Sequence, residues 1–243
     1  MSTERLKSRI IYIVFSFVFS LIQLNLSGQK QKPKNESWYD EKLIHFGFTL
    51  GFNAMDFRIT PSQTYLLTDS LYPEVSKLNP GINIQIVTDL RLGKYVDLRF
   101  LPGVSFGQRT VRYYKNQVIY NEQQRLESSF LEFPLLLKLK GERMNNVRPY
   151  VIGGFNYRYD LAAKKDFDDA KPVYIRITKP DLYYELGAGL DFYLPYFKLS
   201  VELKMSNGMS DVLVRDYAPG HEQYGNAIEK MKSQIWVLLF HFE

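Results

Sequence analysis

Along most of this chain, hydrophobic and polar positions alternate with a period of two, the signature of strands with one apolar face. The clearest case is SSFLEFPLLLKLK, from Ser128 to Lys140. There Leu131, Phe133, Leu135, Leu137 and Leu139 share one face, and Glu132, Pro134, Lys138 and Lys140 the other. Seven further stretches read the same way. LIHFGFTLGFNAM sets Phe46, Phe48, Leu50 and Phe52 against His45, Gly47, Thr49, Gly51 and Asn53. PGINIQIVTDLRL sets Ile82, Ile84 and Ile86 against Asn83, Gln85 and Asp89, and YVDLRFLPGVSFGQRTV sets Leu98, Phe100 and Val104 against Asp97, Arg99, Ser105 and Arg109. RPYVIGGFNYRYDL, DLYYELGAGLDFY and FKLSVELKMSNG place Arg158, Glu185, Glu202 and Lys204 on their polar faces. SQIWVLLFHFE alternates less cleanly, but Trp236, Leu238, Phe240 and Phe242 share a side.

The connections between these eight strands alternate in length. Long ones cover 56–79, about 112–126, 162–173 and about 209–232, and short ones cover Gly93 with Lys94, GERMNNV and LPY. An even strand number with short turns on one rim and long loops on the other predicts an eight-stranded antiparallel up-and-down transmembrane β-barrel, with short periplasmic turns and four long extracellular loops. The soluble counterpart, a lipocalin-like barrel, would turn the apolar faces inward. It would then carry mid-strand glycines such as Gly47, Gly51, Gly187 and Gly189 on its outer wall, where they weaken strands without benefit. Small residues on the polar face are what a narrow lumen needs. Two prolines interrupt the pattern. A bulge or kink is expected at Pro102, and an irregularity at Pro134, where the missing donor needs a bulge or an open ladder position.

Composition agrees with an all-β membrane protein: 18 Tyr and 17 Phe against 2 Trp, with a mildly negative mean hydropathy because each strand hides its apolar face among polar neighbours. Residues 1–28 read as a signal peptide, with Arg5, Lys7 and Arg9 ahead of the apolar run IIYIVFSFVFSLI and small Ser27 and Gly28 after it. The run is short for a membrane-spanning helix, and an uncleaved anchor is the other reading. Residues 29–41 then form a periplasmic linker in which Trp38 and Tyr39 are interface anchors, and 42–243 the barrel domain. Without residues 1–28 the formal charge falls from +5 to +3, too little to argue for nucleic acid. There is no cysteine, which excludes thiol catalysis, a disulfide framework and a lipid anchor through an N-terminal Cys.

An eight-stranded ring leaves a lumen that side chains fill, so its inward charges must pair. Arg99, Glu132, Arg158, Glu185, Glu202 and Lys204 are the candidates for a structural ionic girdle. Glu132, Arg158, Glu185 and Lys204, alternating in sign at comparable heights on the fourth to seventh strands, are its centre. No catalytic set is expected. His45 faces the lumen, His221 lies in the last long loop and His241 beside the terminus, none of them placed against Ser128 or Ser129 by the strand pattern. The carboxylates Asp166, Asp168 and Asp169 lack the glycine turn and distal Glu of a calcium loop, and Gly153 and Gly154 lie within a strand, which excludes a phosphate cradle. No cofactor, metal or small-molecule substrate is expected.

The run SSFLEFPLLLKLKGERMNNVRPYVIGGFNYRYDLA, from Ser128 to Ala162, together with GFNAMDF and ELGAGLDFYL, resembles small outer-membrane barrels of the PorT family. The resemblance implies a component of type IX secretion, which carries folded cargo across the outer membrane and in some bacteria supports gliding. It brings no catalytic residues. It implies a non-enzymatic accessory or assembly role, with outer-membrane lipid and other secretion-machinery proteins as partners. Two other readings stay open: a passive structural or adhesive barrel binding partners through its long loops, and a lipid-modifying enzyme.

Overall fold

A computed structural model describes residues 34–36, 39–62, 71–75, 79–115, 118–163, 175–215 and 222–243. The expected signal peptide, Trp38, His221 and the carboxylates Asp166, Asp168 and Asp169 lie outside the described residues.

The described residues hold twelve strands. They are β1 (Ile44–Pro61), β2 (Leu71–Val75), β3 (Asn79–Arg91), β4 (Val96–Phe100), β5 (Gly103–Lys115), β6 (Val118–Lys140), β7 (Val147–Asp160), β8 (Arg176–Ile177), β9 (Pro180–Tyr193), β10 (Lys198–Gly208), β11 (Leu213–Val214) and β12 (Ile228–Phe242), with a 3-10 turn over Tyr39–Glu41 before the first and a short α-helix, α1 (Glu222–Asn226), before the last. Neighbours pair antiparallel from β1 through β12, β10, β9, β7 and β6 to β4 and β5, then β3, and β3 pairs back to β1. The sheet therefore closes into a ring of eight staves, with β4 and β5 sharing one, as the alternation predicts.

Side-chain placement follows the period of two. Phe46 is 68% and Ile86 60% exposed on the outer wall, while Arg99, Glu185 and Glu202 on the inner wall are 0% exposed. Water would punish that inversion, and a bilayer rewards it. On the outer wall, toward the periplasmic end, aromatic rings gather: Phe48 stacks on Phe242 at 4.8 Å, and Phe197 lies 6.2 Å from Phe242.

The prolines leave gaps in the ladder, not bulges. Phe100 pairs with Leu135 and Gly103 with Glu132 in an unbroken register, so β4 and β5 continue one another across Leu101 and Pro102. The expected bulge at Pro102 is absent because its missing donor falls where a ladder position is left open. Its carbonyl still accepts from the Ile86 amide at 2.9 Å. Pro134 likewise keeps its pairing with Asn156 without a shift, and its carbonyl accepts from Leu101 at 3.2 Å. The register shifts that do occur lie between Thr60 and Pro61 and between Arg112 and Tyr113, both near the extracellular end.

The long connections are more ordered than the alternation suggests. Residues 112–126, expected as a loop, are mostly strand: β5 and β6 run on together until Lys115 pairs with Val118. β1 reaches Pro61 and β12 starts at Ile228, so parts of 56–79 and 209–232 are also sheet. Above the bilayer a strand has no lipid to face, and its sequence loses the clean alternation that marks it. Phe57, Val111, Tyr113, Leu213, Tyr224 and Met231 belong to one buried apolar cluster that fills the extracellular end. At the other end Tyr39, expected as an interface anchor, instead stacks on His45 at 4.0 Å and donates to Glu243 at 2.7 Å. Burial and the Glu243 carboxylate hold its phenol far above the ordinary range, so it stays a donor.

Leu135 sits at the centre of the outward face of β6 and is half exposed. Leu135→Arg is expected to destabilise the barrel by about 2–4 kcal/mol in lipid vesicles. An unchanged urea midpoint would contradict the placement of this face in the bilayer core.

Candidate functional site: the charged lumen

The six predicted girdle residues all point into the lumen, each at most 1% exposed. Four of them link in stave order. Arg158 on β7 lies 3.0 Å from Glu132 on β6 and 3.0 Å from Glu185 on β9, and Lys204 on β10 lies 2.7 Å from the second oxygen of Glu185. The spare lone pairs are used as well. Gln85 and Ser105 each donate to Glu132 at 2.6 Å, while Asn156 and Ser206 each donate to Glu185 at 2.8 Å. The chain of contacts thus crosses six of the eight staves, from β3 to β10. Each carboxylate has both cations and neutral donors around it, the condition under which a buried ion pair is sustained.

Arg99 and Glu202 belong to a second layer nearer the periplasm. Arg99 clamps Asp89 in a bidentate fork, with both contacts at 2.6 Å, and reaches Glu243 at 3.2 Å and Glu202 at 3.4 Å. Tyr150 donates to Glu202 at 2.9 Å. Its ring fits because Gly189 stands opposite it in the register, where an added Cβ would come within 2.5 Å of the phenol. Lys138 and Ser200 donate to Asp191 at 2.9 and 2.6 Å, and Lys198 meets Glu243 at 2.9 Å. Near the extracellular end a third layer centres on Arg109, which contacts Ser128, Ser233 at 2.9 Å and Asp160 at 3.4 Å, and lies over the Phe57 ring at 4.2 Å. A cavity beside it has a volume of about 10 Å³, roughly the room one water needs.

Reading the sequence for a girdle misses Asp89, Arg109, Lys138, Asp191 and Glu243 as members. Each has the right parity; what the sequence does not encode is the stagger between staves, which decides the heights that meet. Glu243, which follows the terminal aromatic, turns inward and joins Arg99, Lys198 and Tyr39.

Of the histidines, His45 packs under Tyr39. His241 shares a 2.7 Å hydrogen bond with Thr49 and lies 3.4 Å from Glu202. Hydroxyl, imidazole and carboxylate in that order resemble a nucleophile relay. All three are 0% exposed and set in the lumen wall, so they tie β1, β12 and β10 together there. Ser128 is taken up by Arg109. Among the described residues no group of side chains could hold a metal ion.

A closed ring with an apolar outer wall and a charged, packed interior defines an integral outer-membrane β-barrel protein. The chain belongs to the family described as "Outer membrane protein beta-barrel domain", whose model matches residues 28–214. Among curated proteins no match to the chain is found. Solved structures similar to it include the outer membrane protein OprG from Pseudomonas aeruginosa, at 13% identity and a TM-score of 0.44, covering 82% of this chain and 92% of that one. Ail, the attachment invasion locus protein of Yersinia pestis, matches at 12% identity and a TM-score of 0.37, over 81% of this chain and 96% of that one. The N-terminal β-barrel domain of Pseudomonas aeruginosa OprF matches at 12% and 0.32, over 80% and 97%. The protein resides in the outer membrane.

Glu185 is the carboxylate on which both Arg158 and Lys204 depend. Glu185→Ala leaves two buried cations short of a partner and is expected to cost about 3–5 kcal/mol, whereas Glu185→Ala combined with Lys204→Met should recover part of that loss. Urea titration of the folded barrel in lipid vesicles measures both. Equal stability of wild type and Glu185→Ala would show that the girdle does not hold the lumen.

Proposed function

We propose that this barrel is a non-enzymatic accessory or assembly component of protein secretion, of the PorT kind associated with type IX secretion. The observation that carries the reading is the sealed lumen. Ion pairs fill its middle, Tyr39 and Glu243 its periplasmic mouth, and an apolar cluster its extracellular end. A wall with a packed interior is no conduit for folded cargo, so it acts through its rims and its outer face. The resemblance from Ser128 to Ala162 supports the secretion role, and that stretch supplies Glu132, Lys138 and Arg158 to the lumen.

The partners in this reading are outer-membrane lipid and other secretion-machinery proteins, with no nucleic acid and no small-molecule substrate. The extended β5–β6 hairpin, β8 with β11, and α1 offer a firm extracellular platform for protein contacts. That same platform favours a second reading, in which the barrel is a structural or adhesive protein of the cell surface.

A strain lacking the gene separates the two. Under the secretion reading, type IX cargo accumulates in the periplasmic fraction of the deletion strain and returns to the medium on complementation. Cargo release at the wild-type level would contradict it, and a simultaneous loss of surface adhesion would favour the adhesive barrel.

A further inference from the structure

A recess of about 260 Å³ opens on the outer wall where β1, β12, β10 and β9 leave the bilayer, lined by Arg58, Tyr184, Asn207, Met209, Lys232 and Gln234 among others. On β1 the outward residues from Ile44 to Ala54 are all apolar. That is a run of roughly 33 Å along the strand and roughly 25 Å in height at the usual tilt, the full thickness of the apolar band. Arg58 comes two outward positions later, and on β12 Lys232 comes two outward positions beyond Trp236, so both cations stand at the level of the outer-leaflet headgroups.

Arg58 and Lys232 are direct register partners and both are exposed. Like charges placed opposite one another in an antiparallel pair destabilise it. Neither has an ion-pair partner among the described residues. The nearby acid on the same face, Asp56, accepts from the Phe57 amide at 2.7 Å. The Asn207 amide nitrogen is buried in the wall with no hydrogen-bond partner, and the Gln234 amide reaches only the Met205 sulfur, at 3.8 Å. The recess thus offers two cations and two amide donors to an acceptor that the protein does not provide. From these features we infer that it is a binding site for the phosphate group of an outer-leaflet lipid headgroup, whose acyl chains lie along the belt below, over Trp236, Met205 and Leu186. The phosphate relieves the repulsion between Arg58 and Lys232 and accepts from Asn207. A phosphorylated glycolipid such as lipid A presents this chemistry at this depth.

The full chain in dodecyl maltoside, titrated with lipid A and followed by native mass spectrometry, tests the site. Wild type is expected to retain lipid A and to release its dephosphorylated form. R58Q/K232Q should weaken retention about 30-fold, the effect of two cations near a membrane surface. N207L should weaken it less, while R58K/K232R and the remote K94Q should retain the lipid. Because Arg58 and Lys232 are exposed, the barrel should still fold, which the gel shift between heated and unheated samples checks. Equal retention by R58Q/K232Q, or of dephosphorylated lipid A by wild type, would overturn the assignment. So would inorganic phosphate binding through Arg58 and Lys232 while lipid A does not.

Discussion

A charge enclosed by eight staves has no water to retreat to, so each one must meet its partner across the lumen. That requirement ties the strand registers together. Arg158 meets Glu132 because β6 pairs the two directly, and it reaches Glu185, which β9 sets opposite Gly154, alongside Asn156, a donor to the same carboxylate oxygen. A slip of one residue between two staves would turn a carboxylate toward lipid and a leucine into the lumen. The girdle is therefore also a device that fixes the pairing of strands whose apolar outer faces would be much alike at any even shift. The glycines belong to the same constraint: Gly189 leaves room for Tyr150, and Tyr150 holds Glu202.

Sealing proceeds from both ends toward this middle. At the periplasmic mouth the segment before β1 folds back, with Asn35 bonded to Asn146 and to the Tyr193 carbonyl, and Tyr39 wedged between His45 and Glu243. At the extracellular end the interior changes from ionic to apolar as the staves leave the bilayer. A barrel built this way has two working surfaces, its rims and its lipid-facing wall. The lipid site inferred on the wall does not depend on the function proposed for the barrel.

Much of this was legible in the sequence, and for a definite reason. Within the bilayer the lipid imposes an apolar outward face at every second residue, so the parity of Leu131, Leu135, Glu132 and Arg158 follows from the pattern alone. Lone charges at mid-strand then single out the girdle. The pattern fails where the lipid ends. YYKNQVIYNEQQRLE has water on its outer side and no imposed alternation, and it reads as a loop although most of it is strand. Pro102 reads as a bulge or kink because a missing donor is visible in sequence, whereas whether an open ladder position receives it depends on the neighbouring stave. Partners on staves that are not neighbours, such as Arg99 and Glu202, or Lys138 and Asp191, depend on the stagger of the ring, a global quantity to which no local window has access.

Closure of the lumen by its own charges is read directly by electrical conductance. Purified full-length protein reconstituted in planar bilayers at molar salt is predicted to give no resolved open-channel steps, with the Arg158 and Glu185 contacts intact. Stable, ion-selective conductance from the wild-type barrel would mean that water and ions pass between the girdle and the wall, and would contradict the packed lumen on which the rest depends.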